Sequence, residues 1–249
     1  TFCTEIAMSQ VVEEGLVSYW SFNKDNIDGN TVIDVWGNNN ANIVSAPQIV
    51  EGKFGDALNF NGSEDYVDCG DDMSLRIGRP LTVEFWFKSE RDSLDDNIIS
   101  NTDGTKTNYI VCSYQSPGRL SFIREDAADT NFQLNSSKSI DNNWHHVAVV
   151  DDGKAFYLYL DGNLDNSQNF SFNAFTASGA LYIARSPEDW AANGFFKGTV
   201  DEVRIYDRAL SENEVLRNMN AEGLSVVSPK DKFSITWGKL KRITSTLSN

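Results

Sequence analysis

The sequence predicts an all-β protein: two antiparallel sheets stacked as a sandwich or jelly roll, with one short helix near the C-terminal end. Three observations carry this. Short segments of alternating apolar residues recur along the chain, separated by turns rich in Gly, Asn and Asp. Aromatic residues suit strands, and the chain holds 15 Phe, 8 Tyr and 6 Trp. One segment alone combines helical spacing with start and stop signals, so helices do not form a layer of their own.

The elements follow in order. Leu16 to Phe22 alternates, with Leu16, Ser18, Trp20 and Phe22 on one side. Further strands are expected over 57–61, 66–69, 81–88, 97–101, 109–114, 120–124, 144–151, 155–161, 181–184 and 198–206. Asp151-Asp152-Gly153-Lys154 joins two strongly apolar runs as a tight hairpin, and Asp161-Gly162-Asn163 reads as another turn. Ser211 and Glu214 form a capping box, flanked by Leu210 and Val215 at the staple positions. Val215, Leu216 and Met219 make the apolar stripe of this helix, and Gly223 is its stop.

Composition bounds the function. A net charge of −15 argues against nucleic acid or an anionic membrane as partner. No run of about 20 apolar residues is present to span a bilayer. Ala7-Met8-Ser9 before Gln10 has the small-x-small pattern of a signal-peptidase site, so residues 1–9 are expected to be the remnant of a secretory signal. Residues 10–223 then form the domain. Residues 224–249 form a polar, basic tail with Pro229 and a lone Trp237. Cys3 falls in the leader. Cys69 and Cys112 lie in strand segments and can form a disulfide only if those strands are neighbours; two free buried thiols are the open alternative.

The stretch from Gly198 to Ser211 contains a conflict. A two-residue period puts Thr199, Asp201, Val203 and Ile205 on one face. A carboxylate among aliphatic side chains needs a hydrogen-bond partner, a cation or a metal ion.

In order and spacing, several segments resemble one family, the laminin-G-like, concanavalin A-like jelly-roll domains of bacterial secreted proteins. They are Gly15 to Phe22, Asp34-Val35-Trp36-Gly37-Asn38-Asn39-Asn40, Gly52 to Gly62 leading into Asp65-Tyr66-Val67, Leu81 to Phe87, Trp144 to Ala148, and Gly198 to Ser211. The resemblance spans residues 15 to 222. It departs at Trp36, where the loop usually has Ser, and at Asn42, where Gly is frequent. Thr236 to Leu240 also looks like tails of some bacterial secreted relatives.

The resemblance implies a structural Ca²⁺ near the sandwich edge. Ca²⁺ takes six to eight oxygen ligands. The expected set is Asp34 and Asp201 by carboxylate, Asn40 by its amide, and Gly37 and Asn61 by backbone oxygen. The alternative has Asp34 capping a turn and Asp201 paired with an arginine.

Catalysis is weighed against this. The glucanase members of the fold use a Glu-x-Asp-x-x-Glu strand, and here Thr199 and Arg204 stand at the outer positions around Asp201. Glu84 lies beside Trp86 with no second carboxylate in place. His145 and His146 point to opposite faces of one strand, and a lyase would set a His against Tyr157 or Tyr159.

Sugar recognition needs rings that stack and loops that supply polar partners. Trp190, Arg185, Trp36 and Tyr114 occupy loops or strand ends and are the candidate ligand-binding residues. The sequence therefore points to a secreted or cell-surface, calcium-binding, non-catalytic module that recognises an extracellular glycan or a protein surface. A polysaccharide-cleaving enzyme on the same scaffold is the first alternative, and a structural or assembly protein the second.

Overall fold

The computed structural model describes residues 10–90, 96–103, 107–114, 118–125, 130–170, 179–187 and 194–224. Among the described residues the first strands are β1 (Leu16–Trp20), β2 (Ile27–Asp28), β3 (Thr31–Val32), β4 (Ala41–Val44), β5 (Gln48–Glu51), β6 (Asp56–Asn61) and β7 (Tyr66–Asp68). The central strands are β8 (Leu81–Ser89), β9 (Asp96–Thr102), β10 (Thr107–Tyr114), β11 (Arg119–Glu125) and β12 (Asn131–Ser139). The last are β13 (His145–Asp151), β14 (Ala155–Leu160), β15 (Asn163–Asn169), β16 (Ala180–Ile183) and β17 (Lys197–Tyr206), followed by helix α1 (Glu212–Met219).

These strands make two antiparallel sheets. One has the order β15-β14-β13-β8-β17-β6-β5, with β1 also paired to β17. The other has the order β12-β11-β10-β9-β16-β7-β4-β3-β2. The expected strands are present within a residue or two at each end. The structure adds β2 to β5, β12 and β15, whose short or polar sequences carry little apolar alternation.

The two inner faces share one core. Val83, Phe85, Phe87, Val147 and Val149 of one sheet meet Tyr109, Val111, Leu120, Phe122, Leu181 and Ile183 of the other. A second apolar cluster lies outside the eight-stranded sheet. There α1 and the segment before β1 bring Val11, Val12, Leu210 and Val215 onto Tyr19, Ala148, Val150, Tyr159 and Tyr206. The capping box at Ser211 and Glu214 is formed as expected, and Arg208 bonds Glu214 at 2.6 Å, holding its carboxyl down to about 2.

The alternation expected for Asp201 is broken. A bulge interrupts β17 between Asp201 and Arg204, with Glu202 in the left-handed region (φ 56°). Before the bulge β17 pairs with β6; after it, with β1. Val200, Val203 and Ile205 face the core, while Asp201 lies beside Trp86 on the outer face. The two-residue period thus misplaces Asp201, because the extra residue resets the facing.

Cys69 and Cys112 are free and buried. Cys69 belongs to the main core, whereas Cys112 packs with Ile110 and Ile123 outside the nine-stranded sheet. The sheet itself separates them, so the possible disulfide between Cys69 and Cys112 does not form.

Candidate functional site

Two clusters of side chains stand out, one on the outer face of each sheet. In the nine-stranded sheet, the period that buries Val67, Leu181 and Ile183 turns Tyr66 and Tyr182 outward. Ala184 adopts φ 67° at the end of β16, and Arg185 follows it. The Arg185 guanidinium carbon lies 4.5 Å from the Tyr66 ring centroid, 5.7 Å from Tyr182 and 5.6 Å from Phe195. Tyr66 also meets the other two rings, 6.1 Å from Tyr182 and 6.2 Å from Phe195.

Backbone contacts fix this group. Arg185 and Phe195 form a β-bridge, Ser186 N–H donates to the Gly194 carbonyl at 2.7 Å, and Ser100 Oγ donates to the Arg185 carbonyl at 2.6 Å. Ala184 N–H donates to the Ile98 carbonyl, so Arg185 and Asn97 are the next residues on their two strands. Asn97 is 1% exposed, and neither its amide oxygen nor its amide nitrogen has a hydrogen-bond partner.

The eight-stranded sheet carries the second cluster. Arg204 is fully buried against Glu84 and Glu202, with Tyr19 stacked 4.7 Å away. Glu202 accepts a hydrogen bond from Tyr19 Oη at 2.5 Å, and Glu84 accepts one from Asn218 Nδ2 at 2.7 Å. Burial pushes Glu84 up to about 7 despite Arg204 beside it. His146, sealed beside Trp86, is pushed down to about 3 by burial. Neither group is accessible to a polymer chain: Glu84 and His146 are both 0% exposed. Tyr159 packs beneath α1 in the apolar cluster, and Tyr157 Oη donates to Asp152 at 3.1 Å. His145 instead bridges Asp161 at 2.9 Å and Asp141 at 3.0 Å, which raises its pKa.

Asp201 lies in the same layer. One carboxyl oxygen accepts the N–H groups of Lys53 (2.8 Å) and Phe54 (3.1 Å); the other is buried with no partner. Burial, then the charge of Glu202, pushes its pKa up to about 8. Gly52 is required here, because a Cβ would stand 2.7 Å from Asp201 Oδ2. Alongside lies a cavity of about 320 Å³ lined by Asn23, Lys53, Phe54, Gly55, Glu202 and Glu222. Lys53 Nζ caps the Trp86 ring at 4.2 Å.

The other expected metal ligands are elsewhere. Asp34 is saturated by backbone: one oxygen accepts from Tyr19, Trp36 and Gly37, the other from Asn39. Asn40 Oδ1 accepts from Asp34 N–H, and Gly37 fits because a Cβ would meet the Val17 carbonyl at 2.3 Å. Asn61 uses its amide oxygen to cap the turn to Asp65. Asp34, Gly37 and Asn40 therefore share one loop, while Asn61 ends β6 and Asp201 lies within β17. Among the described residues no three His, Cys, Asp or Glu side chains form a metal-binding group.

Of the expected ligand-binding residues, Arg185 occupies the aromatic cluster. Trp36 does not join it: its indole N–H bonds the Leu16 carbonyl at 2.7 Å and its ring packs under the α1 side. Trp190 and the Tyr114 side chain lie outside the described residues, as do residues 1–9 and the tail from 225. Tyr66, Tyr182, Phe195 and Asn97 escaped the sequence reading. The outward parity of Tyr66 and Tyr182 on strands with buried aliphatic neighbours was the available signal.

The fold is thus a two-sheet antiparallel jelly-roll sandwich. The chain belongs to the concanavalin A-like lectin/glucanase superfamily, whose Laminin_G_3 family model matches residues 61–216. No curated protein sequence matches it significantly. Among solved structures it is similar to the binding domain of Paraclostridial Mosquitocidal Protein 1, with TM-score 0.70 and 18% identity over 84% of this chain and 52% of that one. It is also similar to domain 4 of AbnA, a GH43 extracellular arabinanase from Geobacillus stearothermophilus, in complex with arabinotriose (TM-score 0.63, 19% identity, 82% and 98% covered). A third is the receptor binding domain of botulinum neurotoxin C/D mosaic serotype (TM-score 0.67, 15% identity, 84% and 51% covered). The chain spans about half the length of the two toxin domains. At these identities the likeness shows the fold alone. Among the described residues no helix is long and apolar enough to cross a membrane.

Proposed function

We propose that this chain is a non-catalytic carbohydrate-recognition module of a secreted protein, binding sugar on the outer face of the nine-stranded sheet. The observation that carries this is the cluster of Tyr66, Tyr182 and Phe195 around Arg185. Rings offer apolar faces to sugar C–H groups, and Arg185 offers a fixed polar partner. The arabinotriose bound to domain 4 of the extracellular arabinanase supports a sugar as ligand.

A calcium ion belongs to the same reading, as a structural support on the opposite sheet. The residues present suit it at Asp201: one buried carboxyl oxygen lacks a partner, and Asn23, Glu202 and Glu222 line the adjoining cavity. Asp34 does not suit it, because four backbone N–H groups already use its oxygens. Bound there, calcium would supply charge compensation for Asp201 and no chemistry.

The test is a glycan array probed with wild type, Tyr66→Ala and Tyr182→Ala, with thermal melting in Ca²⁺ and in EDTA. The wild type is expected to retain defined glycans, and both variants to lose them without losing stability. An array with no bound glycan overturns the sugar reading. A melting temperature indifferent to Ca²⁺, or an increase that persists in Asp201→Ala, overturns the ion site.

A further inference from the structure

We infer that the sugar recognised at this site is acidic, with a carboxylate or sulfate group received by Arg185. The inference rests on the sugar-binding reading above and names its ligand class. It starts from how the chain treats its other arginines. Among the described residues, Arg79 and Arg124 meet Asp151, Arg204 meets Glu84 and Glu202, and Arg208 meets Glu214. Each of these is buried or half-buried, and each has its carboxylate. Arg185 is half-buried too, but no described carboxylate or carbonyl bonds its guanidinium, and its Nε is buried without a partner.

Scarcity of acids does not explain this. The chain has 36 Asp and Glu against 21 Lys and Arg, so a partner is easily supplied wherever the fold calls for one. The aromatic rings hold the cation in place without using its N–H donors: a cation–π contact attracts the charge and accepts no conventional hydrogen bond. The result is a positioned guanidinium with its donor fork uncommitted. That fork matches two oxygens of a planar carboxylate or of a sulfate, and such charge-assisted pairs are short and strong. The overall −15 charge repels anions at a distance, so the preference must arise from contact and not from steering. An oxyanion on a sugar meets both requirements at once: its ring stacks on Tyr66, Tyr182 or Phe195 while its acid reaches Arg185.

An array of matched pairs tests this. Uronate-containing oligosaccharides are printed beside their carboxyl-reduced forms, and sulfated ones beside their desulfated forms. The wild type is expected to bind the acidic member of at least one pair about tenfold or more tightly, as loss of a charge-assisted bidentate contact requires. The uronate and sulfate arms tell which acid is received. Arg185→Met is expected to erase the difference within each pair, and Arg185→Lys to restore it only in part. Melting of both variants at the wild-type temperature separates lost recognition from lost folding. Equal binding within every pair, or a preference that survives Arg185→Met, overturns the acidic ligand while leaving sugar binding intact. An array bare of all glycans overturns both.

Discussion

Two arginines on opposite sides of the sandwich make the sharpest contrast in the molecule. Arg204 and Arg185 each sit over a tyrosine ring, at 4.7 Å and 4.5 Å. Arg204 is enclosed beneath α1 with two carboxylates, a tyrosine and an asparagine around it. Arg185 follows β16 and stands among rings, with no described carboxylate bonded to it. Stacking locates a cation, but a fully buried one also requires opposite charge, because desolvation costs several kcal/mol per ion. Arg204, which the fold seals, is supplied with acids; Arg185, which is half-buried, keeps its charge available.

That contrast can be broken at its closed end first. Arg204→Met leaves Glu84 and Glu202 buried without a cation, and is expected to cost about 3–5 kcal/mol in chemical denaturation. Adding Glu84→Gln and Glu202→Gln should recover part of the loss; failure to do so would mean that packing, not charge, holds this layer. Next comes Asp34→Ala, which strands four backbone N–H groups around one loop. A cost of about 2–3 kcal/mol is expected, from lost bonds to a charged acceptor. The Ca²⁺-dependent rise in melting temperature should persist in this variant.

The third prediction concerns pH. Asp201 is pushed up to about 8 in the folded chain and Glu84 to about 7, both by burial. The folded state therefore holds protons that the unfolded chain releases above pH ~4. Their stabilising effect is complete below that point and declines as pH rises toward 7 and 8, by up to ~1.4 kcal/mol per unit for each group. His146, pushed down to about 3, works in the opposite sense below pH ~6.5, so melting in EDTA should show this fall between pH 6.5 and 8. Saturating Ca²⁺ should flatten the Asp201 share of it, and Asp201→Asn should remove that share in either condition. At the open end, Arg185→Met should change stability by no more than about 0.5 kcal/mol. A larger loss in its urea midpoint would make Arg185 a structural partner of Tyr66 and align it with Arg204.

Much of this architecture was legible. Strands with buried faces on both sides of a turn, such as β13 and β14, announce themselves by apolar density, and Ser211 with Glu214 marked α1 through local capping chemistry. Edge strands did not. β15 reads Asn-Leu-Asp-Asn-Ser-Gln-Asn because it is largely exposed, so nothing periodic survives in its sequence. Asp201 shows how a bulge defeats a parity argument: its burial was legible, but its face was not. Asp34 was assigned to a cation because a carboxylate in a Gly/Asn loop can serve either an ion or backbone N–H groups, and only geometry tells which. The aromatic cluster was legible in part. Arg185 stood out as a strand-end cation, but its partners come from β7, β16 and a returning loop, far apart in sequence.

The two ends of the described domain meet. Val12 N–H donates to Asn218 Oδ1 at 2.7 Å, and Arg217 Nε donates to the Gln10 carbonyl at 2.6 Å. Both contacts lie on the α1 side, across the sandwich from Arg185. A short linker between these points would give a circular permutant, with new ends opened at the exposed hairpin around Asp152 and Lys154. The same arrangement fixes how the module is presented: whatever chain leads to residue 10 and away from residue 218 departs from one side, and the Arg185 face looks outward from that attachment.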